Sequence, residues 1–286
     1  MAKVGVIGGS GLYNIEGLEK TDSVVMGTPF GQTSDKFQLG TLEGIEVVFL
    51  PRHGRWHTIS PSRINFKANI FGMKKLGVEA IISVSACGSL KEELRPMDFV
   101  IPDQFVDRTH QARQSTFFDN GIVAHVAFAD PVSPELTKIL YECATELKLR
   151  VHPKGTYINM EGPQFSTKAE SNLYRSWGMD IIGMTNMVEA KLAREAEISY
   201  ATLAAVTDYD CWHESHESVT VDMIIANLNH NVENAKAILK KTIPRIGRLT
   251  QFSAANALQH AIITAKDHMP EEAKKDLQLI VGKYLK

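Results

Sequence analysis

Short apolar runs typical of β-strands alternate along this chain with segments typical of α-helices, and this alternation constrains the fold more than any other feature. The strand-like runs are Ile45–Leu50, Ala80–Ala86, Phe99–Ile101, Asp180–Met184 and Ala201–Val206. Alternation on this scale predicts a central twisted, mostly parallel or mixed β-sheet flanked by helices. Because no Pro/Ser/Gly-rich linker interrupts the chain, we expect one α/β domain over residues 1–286, with helices from about residue 252 as a peripheral extension.

Helix boundaries are marked by characteristic residues. Ser60-Pro61 and Ser133-Pro134 each place a serine before a proline, which is typical of an N-cap followed by the first helical residue. Gly77 and Gly178 stand where helices should end. Apolar residues at helical spacing predict a long amphipathic helix from Val219 to Ile243, and two further helices should close the chain.

Charge and cysteine content exclude several classes of function. The chain carries 31 Lys and Arg against 33 Asp and Glu without a basic block, so we expect neither nucleic acid nor a membrane surface as a partner. Cys87, Cys143 and Cys211 form no Cys-x-x-Cys pair, which favours free thiols in a reducing compartment. The N-terminus lacks a signal-peptide pattern, and the sequence has no apolar run of membrane-spanning length. We therefore expect a cytoplasmic protein.

The first apolar run leads into a glycine-rich turn, Gly8-Gly9-Ser10-Gly11. Such a turn can hold a dinucleotide, hold a bare phosphate, or simply end a strand. The dinucleotide fingerprint needs a third glycine or alanine where this chain has Asn14, so a nicotinamide-dependent oxidoreductase is a distant alternative. A non-catalytic nucleotide-binding module is a further alternative. A phosphate site would need counter-charge from elsewhere in the chain.

Residues that follow the predicted strands are candidate site residues, because ligands of such sheets bind beyond the carboxyl ends of the strands. Arg52 and His53 follow one strand; a guanidinium forks onto phosphate, and an imidazole can donate a further hydrogen bond. Together with the hydroxyls of Ser10, Ser85 and Thr185 they would form a pocket for a phosphate dianion. The alternative for the Arg52 segment is a solvated loop.

Two histidine patterns raise the question of a metal site. His53 and His57 are four residues apart, but Gly54 interrupts a helix there, and the glutamate of an HExxH zinc motif is absent. The segment His213–Glu217 could be a metal cluster, although a solvated approach to the next helix is favoured. We therefore expect no metal.

Asp208 and Asp210 lie two residues apart at a predicted strand end. If the extended backbone persists, both carboxylates face the same way, and mutual repulsion raises one pKa enough for that carboxyl to donate a proton. The alternative is an Asx turn or a helix cap.

Six stretches together resemble the purine nucleoside phosphorylases of the trimeric type, and within them those that cleave methylthioadenosine. The stretches are Ile7–Gly11, Arg52–Gly54, Ser85–Leu90, Asp103–Thr109, Glu161–Ser166 and Thr207–Trp212. They occur in family order, and the resemblance fades after about Arg245. The resemblance implies a nucleoside phosphorylase-like fold, a homotrimer or a hexamer of two trimers, and no cofactor besides phosphate as a co-substrate.

The resemblance also implies a role for each matching residue. The residues that it assigns to phosphate are Ser10, Arg52, His53, Ser85, Ala86 and Thr185. Those that it places near the nucleoside are Met184 against the ribose, Phe165 and Ser166 against the purine, Asp208 and Asp210 at N7 and the 6-amino edge, Val221, Ile224 and Ile225 around the 5′-methylthio group, and His125 from a neighbouring subunit. Departures from the family pattern are Ser10, Ser85, Gln164 and Val188, where Thr, Thr, Arg and Pro are usual.

The activity that follows from the resemblance is phosphorolysis of S-methyl-5′-thioadenosine to adenine and 5-methylthioribose 1-phosphate. Phosphate held by Arg52 and His53 would balance the positive charge that grows on the ribose, while Asp208 relieves the negative charge on the purine. Alternatives are related phosphorylases that act on methylthioinosine, adenosine or inosine.

Overall fold

The computed structural model describes residues 1–109, 113–213 and 221–285, and within these ranges it describes the side chains of all residues except Ser10, Tyr13, Thr21, 221–226 and Leu228. The strands are β1 Lys3–Gly8, β2 Glu19–Val24, β3 Gly27–Thr28, β4 Gly31–Gln32, β5 Phe37–Leu42, β6 Ile45–Pro51, β7 Val78–Ser89, β8 Phe99–Val100, β9 Gln104–Arg108, β10 Val151–His152, β11 Thr156–Met160, β12 Ile181–Gly183 and β13 Ser199–Asp208. The helices are α1 Phe66–Lys75, α2 Pro134–Glu146, α3 Lys168–Ser176, α4 Asn186–Glu195, α5 Val221–Gly247, α6 Glu271–Asp276 and α7 Gln278–Val281.

One mixed sheet contains eleven of the described strands, with the main order β10-β8-β13-β7-β1-β6-β5-β2, and β3 and β4 form a separate two-stranded sheet. The central strands β6, β1, β7 and β13 run parallel, whereas β5 and β2 at one edge and β8 next to β13 introduce antiparallel pairs. The long strand β7 continues beyond β1 and pairs antiparallel with β12, which joins β11 and β9. The predicted mixed α/β sheet is therefore confirmed.

Helices cover both faces of the sheet, and side chains alternate between the two apolar layers as strand geometry requires. On β1, Val4 and Val6 pack in the layer that contains α2 and α5. Ile7 packs in the opposite layer, with α1 and α4. Because both faces of the central strands are buried, these strands read as continuous apolar runs rather than as alternating ones.

All five predicted strands are present, with ends that differ by one to three residues. Gly77 and Gly178 follow α1 and α3 with φ of 79° each, a left-handed conformation that glycine adopts easily. Pro134 is the first residue of α2, as predicted, although the Ser133 side chain makes no capping bond to it. The long helix α5 is present from Val221 to Gly247; residues 219 and 220 of the prediction lie outside the described residues.

The prediction that a helix begins at Ser60-Pro61 is wrong. Only a single 3₁₀ turn, Pro61–Arg63, forms there. The α-helix α1 begins at Phe66 instead, because the Asn65 side chain accepts a hydrogen bond from the backbone N–H of Ala68 and caps the helix.

The strands β2, β3, β4, β5, β9, β10 and β11 were not predicted from the sequence. Their polar residues, as in Gln104–Arg108 and Thr156–Met160, break up the apolar runs by which the other strands were recognised.

The C-terminal segment contributes to the core. Leu258, Leu277 and Ile280 belong to the same apolar cluster as α4. The segment also pairs with the loop before α2, since His125 N–H donates to the Ala261 carbonyl at 2.9 Å, and Ile263 N–H donates to the Val123 carbonyl at 2.9 Å. None of the described helices combines the length and apolar character that a membrane-spanning helix needs.

Glu195, the last residue of α4, is buried and forms hydrogen bonds with the loop before α2. Its carboxylate accepts hydrogen bonds from Thr116 Oγ1 at 2.7 Å and from the Phe117 N–H at 2.6 Å. Burial raises its pKa to about 7, although these two hydrogen bonds and the charge of Lys67 oppose the shift. The folded protein therefore retains a proton on Glu195 at pH values where the unfolded chain has lost it.

We predict that this carboxyl makes stability fall as the pH rises. Its folded pKa of about 7 lies above the usual 4.5, so the stabilisation is fully present below the unfolded pKa and is lost as the pH rises through the folded pKa. In urea unfolding between about pH 5 and about pH 8, the neutral variant Glu195→Gln should gain roughly 2–3 kcal/mol relative to the unmodified protein. Glu272→Gln on the exposed side of α6 is the matched control, and parallel pH curves for the Glu195 variant and the unmodified protein would contradict the prediction.

Candidate functional site

A cavity of 630 Å³ opens where the carboxyl ends of the central strands meet. Six strands, β1, β6, β7, β11, β12 and β13, deliver residues to its wall, β6 through Arg52 and His53 directly after its end. The predicted site residues that line it are Arg52, His53, Ser85, Ala86, Phe165, Met184, Thr185, Asp208 and Asp210. The structure thus brings together, in one cavity, groups that are distant in the sequence.

Arg52 is buried at the base of this cavity and is paired with Glu189 of α4; their exposed fractions are 3% and 1%. Arg52 Nε donates to Glu189 Oε1, and Nη2 donates to Oε2 at 2.9 Å. Nη2 also donates to Ser83 Oγ at 2.5 Å, and Nη1 donates to the Val84 carbonyl at 3.2 Å. Ser83 and Tyr200 each donate a further hydrogen bond to Glu189 Oε2, at 2.8 and 3.0 Å.

This pairing corrects the expectation that the Arg52 fork faces phosphate. The edge formed by Nε and Nη2 is already engaged by the Glu189 carboxylate, so only the second N–H of Nη1 has no partner among the described residues. Burial alone would lower the pKa of Arg52, but the charge and hydrogen bonds of Glu189 raise it. The guanidinium is therefore a fixed cation whose charge is largely balanced.

His53 is neutral at physiological pH. Burial and the neighbouring charge of Arg52 lower its pKa to about 4. Its Nδ1 lies 2.8 Å from the Ile59 carbonyl oxygen, and because a carbonyl only accepts, Nδ1 must carry the proton. Neutral His53 therefore presents the lone pair of Nε2, which corrects the expectation of a second donor: Nε2 can accept a hydrogen bond from a hydroxyl group.

The remaining candidate anion-binding groups are neutral. Thr185 lines the cavity directly before Asn186, where the ten-residue helix α4 begins, and the N-terminus of a helix favours an anion. Asn186 is fully buried and fixes this helix start, because its side-chain amide donates to Ser83, Tyr200 and Thr202 at 2.9–3.2 Å.

Asp208 and Asp210 line the cavity, although not for the reason that the sequence suggested. The backbone does not stay extended, since Asp210 has a φ of 51°, and its N–H donates to Asp208 Oδ1 at 2.8 Å. This arrangement is an Asx turn, the alternative that we had left open. Asp208 Oδ2 accepts a second hydrogen bond from Thr207 Oγ1 at 2.7 Å.

Burial raises the pKa of both carboxyls. For Asp208, the hydrogen bonds from Thr207 and Asp210 oppose the shift, and the charge of Asp210 adds to it. For Asp210, hydrogen bonds from Ser171 and Cys211 oppose it. Both groups therefore hold a proton more readily than an exposed aspartate does.

The loop from Glu161 to Ser166 contributes Phe165 to the wall of the cavity. Phe165 lines the cavity with half of its surface exposed, whereas Ser166 is buried just outside the lining, with Oγ 3.6 Å from Met160 Sδ. Arg113 fixes this loop: Nε donates to Glu161 Oε1 at 2.9 Å, and Nη1 donates to the Met184 carbonyl at 2.5 Å.

The structure does not place every predicted residue in the cavity. His125 is exposed and lies outside the lining, and its assignment to a neighbouring subunit stays a prediction. The side chains of Ser10, Val221, Ile224 and Ile225 lie outside the described residues, so their roles stay predictions.

The described part of the chain contains no group of three or more His, Cys, Asp or Glu side chains that could hold a metal ion. Of the segment His213–Glu217 only His213 is described; its Nε2 lies 2.9 Å from Glu92 Oε2. Cys87, Cys143 and Cys211 are free thiols, as predicted.

Glu189 and Arg113 are the residues that sequence reasoning missed. A signal existed for Glu189, a carboxylate between the apolar residues Val188 and Ala190 near the start of a helix. Arg113 carries no such local signal, because its partners lie 48 and 71 residues away.

Comparison with known proteins identifies the family of this chain. Residues 3–244 match the model of the phosphorylase superfamily. The S-methyl-5′-thioadenosine phosphorylase of Geobacter sulfurreducens is 58% identical over 282 residues, which cover 99% of each chain. The protein of the same name from Thermosynechococcus vestitus is 56% identical over 288 residues, again 99% of each chain.

Solved structures give the same result. A methylthioadenosine phosphorylase from an Antarctic soil metagenomic library superimposes with a TM-score of 0.93 at 48% identity, over 98% of each chain. A variant adenosine/methylthioadenosine phosphorylase from Schistosoma mansoni, in complex with methylthioadenosine, superimposes with a TM-score of 0.85 at 35% identity, over 91% of this chain and 96% of that one. The chain therefore belongs to the phosphorylase superfamily and, within it, to the S-methyl-5′-thioadenosine phosphorylases.

Proposed function

We propose that this protein catalyses the phosphorolysis of S-methyl-5′-thioadenosine to adenine and 5-methylthioribose 1-phosphate. The observation that carries the proposal is a single cavity with buried carboxyls at one end and anion-binding groups at the other. The relatives of this chain that carry the name of this activity are 50–58% identical over nearly its whole length, which supports the same assignment.

Phosphate would bind beside β6, β7 and the start of α4. Arg52 would offer one N–H of Nη1. Hydroxyl groups would come from Ser10, Ser85 and Thr185, and a backbone group would come from Ala86. Because Glu189 balances Arg52 and His53 is neutral, the phosphate dianion itself would bring the excess charge into the cavity. His53 Nε2 would accept a hydrogen bond from the phosphate hydroxyl, which leaves the other phosphate oxygens available for attack.

The purine would lie between Phe165 and the two aspartates. Asp208, with its raised pKa, would donate a proton to N7 as the bond between C1′ and N9 breaks. Asp210 would accept a hydrogen bond from the 6-amino group. A 6-oxo group presents only lone pairs to that carboxylate, so hypoxanthine-type bases should be disfavoured.

The proposed reaction balances with phosphate as the only co-substrate. The C1′–N9 electron pair leaves with adenine, a phosphate oxygen forms the new bond to C1′, and the proton from Asp208 neutralises the leaving group. Positive charge that develops on the ribose lies next to the bound phosphate. No cofactor or metal takes part in this scheme.

We further propose a homotrimer, or a hexamer of two trimers, in which His125 reaches the nucleoside of a neighbouring subunit and Val221, Ile224 and Ile225 surround the 5′-methylthio group. The exposed position of His125 supports this assignment. A cytoplasmic location is supported by the three free thiols.

The first prediction concerns the co-substrate. Adenine release from methylthioadenosine should require phosphate and should yield one methylthioribose 1-phosphate per adenine, because phosphate is the nucleophile. Adenine can be followed by ultraviolet absorbance with and without phosphate. Equal release in phosphate-free buffer would mean a hydrolase, and no release in either buffer would mean a binding protein.

The second prediction separates the two aspartates. Asp208→Asn should lower kcat by about 10²–10⁴ on both methylthioadenosine and methylthioinosine, since N7 protonation assists either leaving group. Asp210→Asn should lower activity on methylthioadenosine and raise relative activity on methylthioinosine, because an amide can donate to a 6-oxo group.

Asp276→Asn on α6 is the control for this pair, since it lies outside the cavity. The assignment fails if the Asp208 variant keeps normal turnover, or if both cavity variants change the ratio of the two substrates equally.

The third prediction separates the structural role of Arg52 from its role towards phosphate. Arg52→Met should lower the free energy of unfolding by about 3–5 kcal/mol, because Glu189 is left buried without its cation. The double variant Arg52→Met, Glu189→Leu should recover much of that stability, yet its KM for phosphate should stay roughly ten- to a hundredfold higher. Urea unfolding and steady-state kinetics measure the two effects. Normal phosphate kinetics in the double variant would remove Arg52 from the phosphate site.

A further inference from the structure

Tyr157 has no role in the reaction described so far, yet its hydroxyl is buried directly behind the proposed phosphate site. Tyr157 lies on β11 and is completely buried among Cys87, Ile181 and Val206. Its hydroxyl oxygen lies against Gly183, where an added Cβ would be only 1.8 Å away. Gly183 lines the cavity immediately before Met184 and Thr185, so the phenol occupies space that only a glycine leaves open.

Two hydroxyl groups in this region lack hydrogen-bond partners among the described residues. They are the phenol of Tyr157 and Ser85 Oγ, and both oxygens are shielded from solvent. Buried hydroxyls nearly always have partners, because an unpaired buried polar group is costly. Ser85 lines the cavity whereas Tyr157 does not, so any contact of Tyr157 with a ligand must pass through another group.

Ser85 is that neighbouring group. Burial raises the pKa of the Tyr157 phenol, and the charge of Cys87 adds to the shift, while hydrogen bonding with the Ser85 hydroxyl opposes it. Tyr157 packs in one cluster with Cys87, and Ser85 lies two residues before Cys87 on β7, so Ser85 and Cys87 share one face of that strand. The two hydroxyls are therefore neighbours, although they do not form a hydrogen bond of normal geometry in this structure. A serine has no γ-methyl group, so its Oγ can rotate among three staggered positions and needs a partner to fix it.

We propose that Tyr157 is a positioning residue for phosphate: its phenol donates a hydrogen bond to Ser85 Oγ, which directs the Ser85 proton to a phosphate oxygen. Both hydroxyls are then satisfied, since Ser85 accepts from Tyr157 and donates to phosphate. No proton is transferred and no bond breaks. The inference rests on the proposed function in one respect, because it assumes that phosphate binds at Ser85.

The test uses Tyr157→Phe, which keeps the aromatic ring and removes only the hydroxyl. Phosphate affinity is measured for the full-length variant and for the full-length unmodified protein, both in the absence of nucleoside. The two measurements are titration calorimetry and the rise of Tm with phosphate. We expect the phosphate Kd and the KM for phosphate to rise about three- to tenfold, the loss expected for one hydrogen bond. The Tm without phosphate should stay the same or rise, because Tyr157→Phe removes a buried hydroxyl that has no partner among the described residues, and the KM for nucleoside should not change.

Two further variants show whether the effect passes through Ser85. In a Ser85→Ala background, Tyr157→Phe should have no additional effect on phosphate affinity, as a double-mutant cycle requires of residues that act together. Ser171→Ala is the control, because it removes another buried hydroxyl that lacks a hydrogen bond of normal geometry. This hydroxyl acts on Asp210 at the other end of the cavity, so the variant should leave phosphate affinity unchanged.

The outcomes distinguish this inference from the proposed function. If phosphate binds Tyr157→Phe and the unmodified protein equally well, or if the two losses are additive in the double variant, the role of Tyr157 is wrong while the phosphate site stands. If phosphate does not bind the unmodified protein at all, the proposed function fails together with the inference.

Discussion

The buried ion pair between Arg52 and Glu189 is the interaction on which the rest of the site depends. It joins the end of β6 to α4, and through Ser83 and Tyr200 it also joins β7 and β13. Several kcal/mol of desolvation oppose such a pair, and four hydrogen bonds to one carboxylate offset this cost. The base of the cavity therefore carries almost no net charge. An anion that binds there would meet directed N–H and O–H groups instead of a mobile cation.

The groups at the two ends of the cavity are also close to neutral. His53 is kept uncharged by burial and by Arg52, so its Nε2 can accept a hydrogen bond, whereas a charged imidazole could only donate one. At the other end, burial keeps Asp208 and Asp210 prone to protonation. Desolvation thus acts on both ends of the cavity, in each case towards the uncharged form.

The sheet and the place of the site could be predicted from the sequence because both follow from local patterns. Apolar runs marked the central strands, and polar residues directly after those runs marked the cavity, as at Arg52 and Asp208. Contacts between distant segments could not be predicted: the carboxylate that engages the Arg52 fork lies 137 residues away, and nothing near Arg113 announces its bonds to Glu161 and Met184. The turn at Asp210 likewise depends on a hydrogen bond to Asp208 that the extended-strand pattern does not contain.

The pairing between the C-terminal segment and the loop that carries His125 has a consequence for the order of events during synthesis. Every described strand of the main sheet, and the helix α5 behind it, precedes residue 248 in the chain. The backbone that holds His125 in place, from Ala261 to Ile263, leaves the ribosome later. The loop around His125 therefore gains these two backbone hydrogen bonds only after every described strand of the main sheet has been synthesised, so it becomes fixed later than the strands that form the cavity.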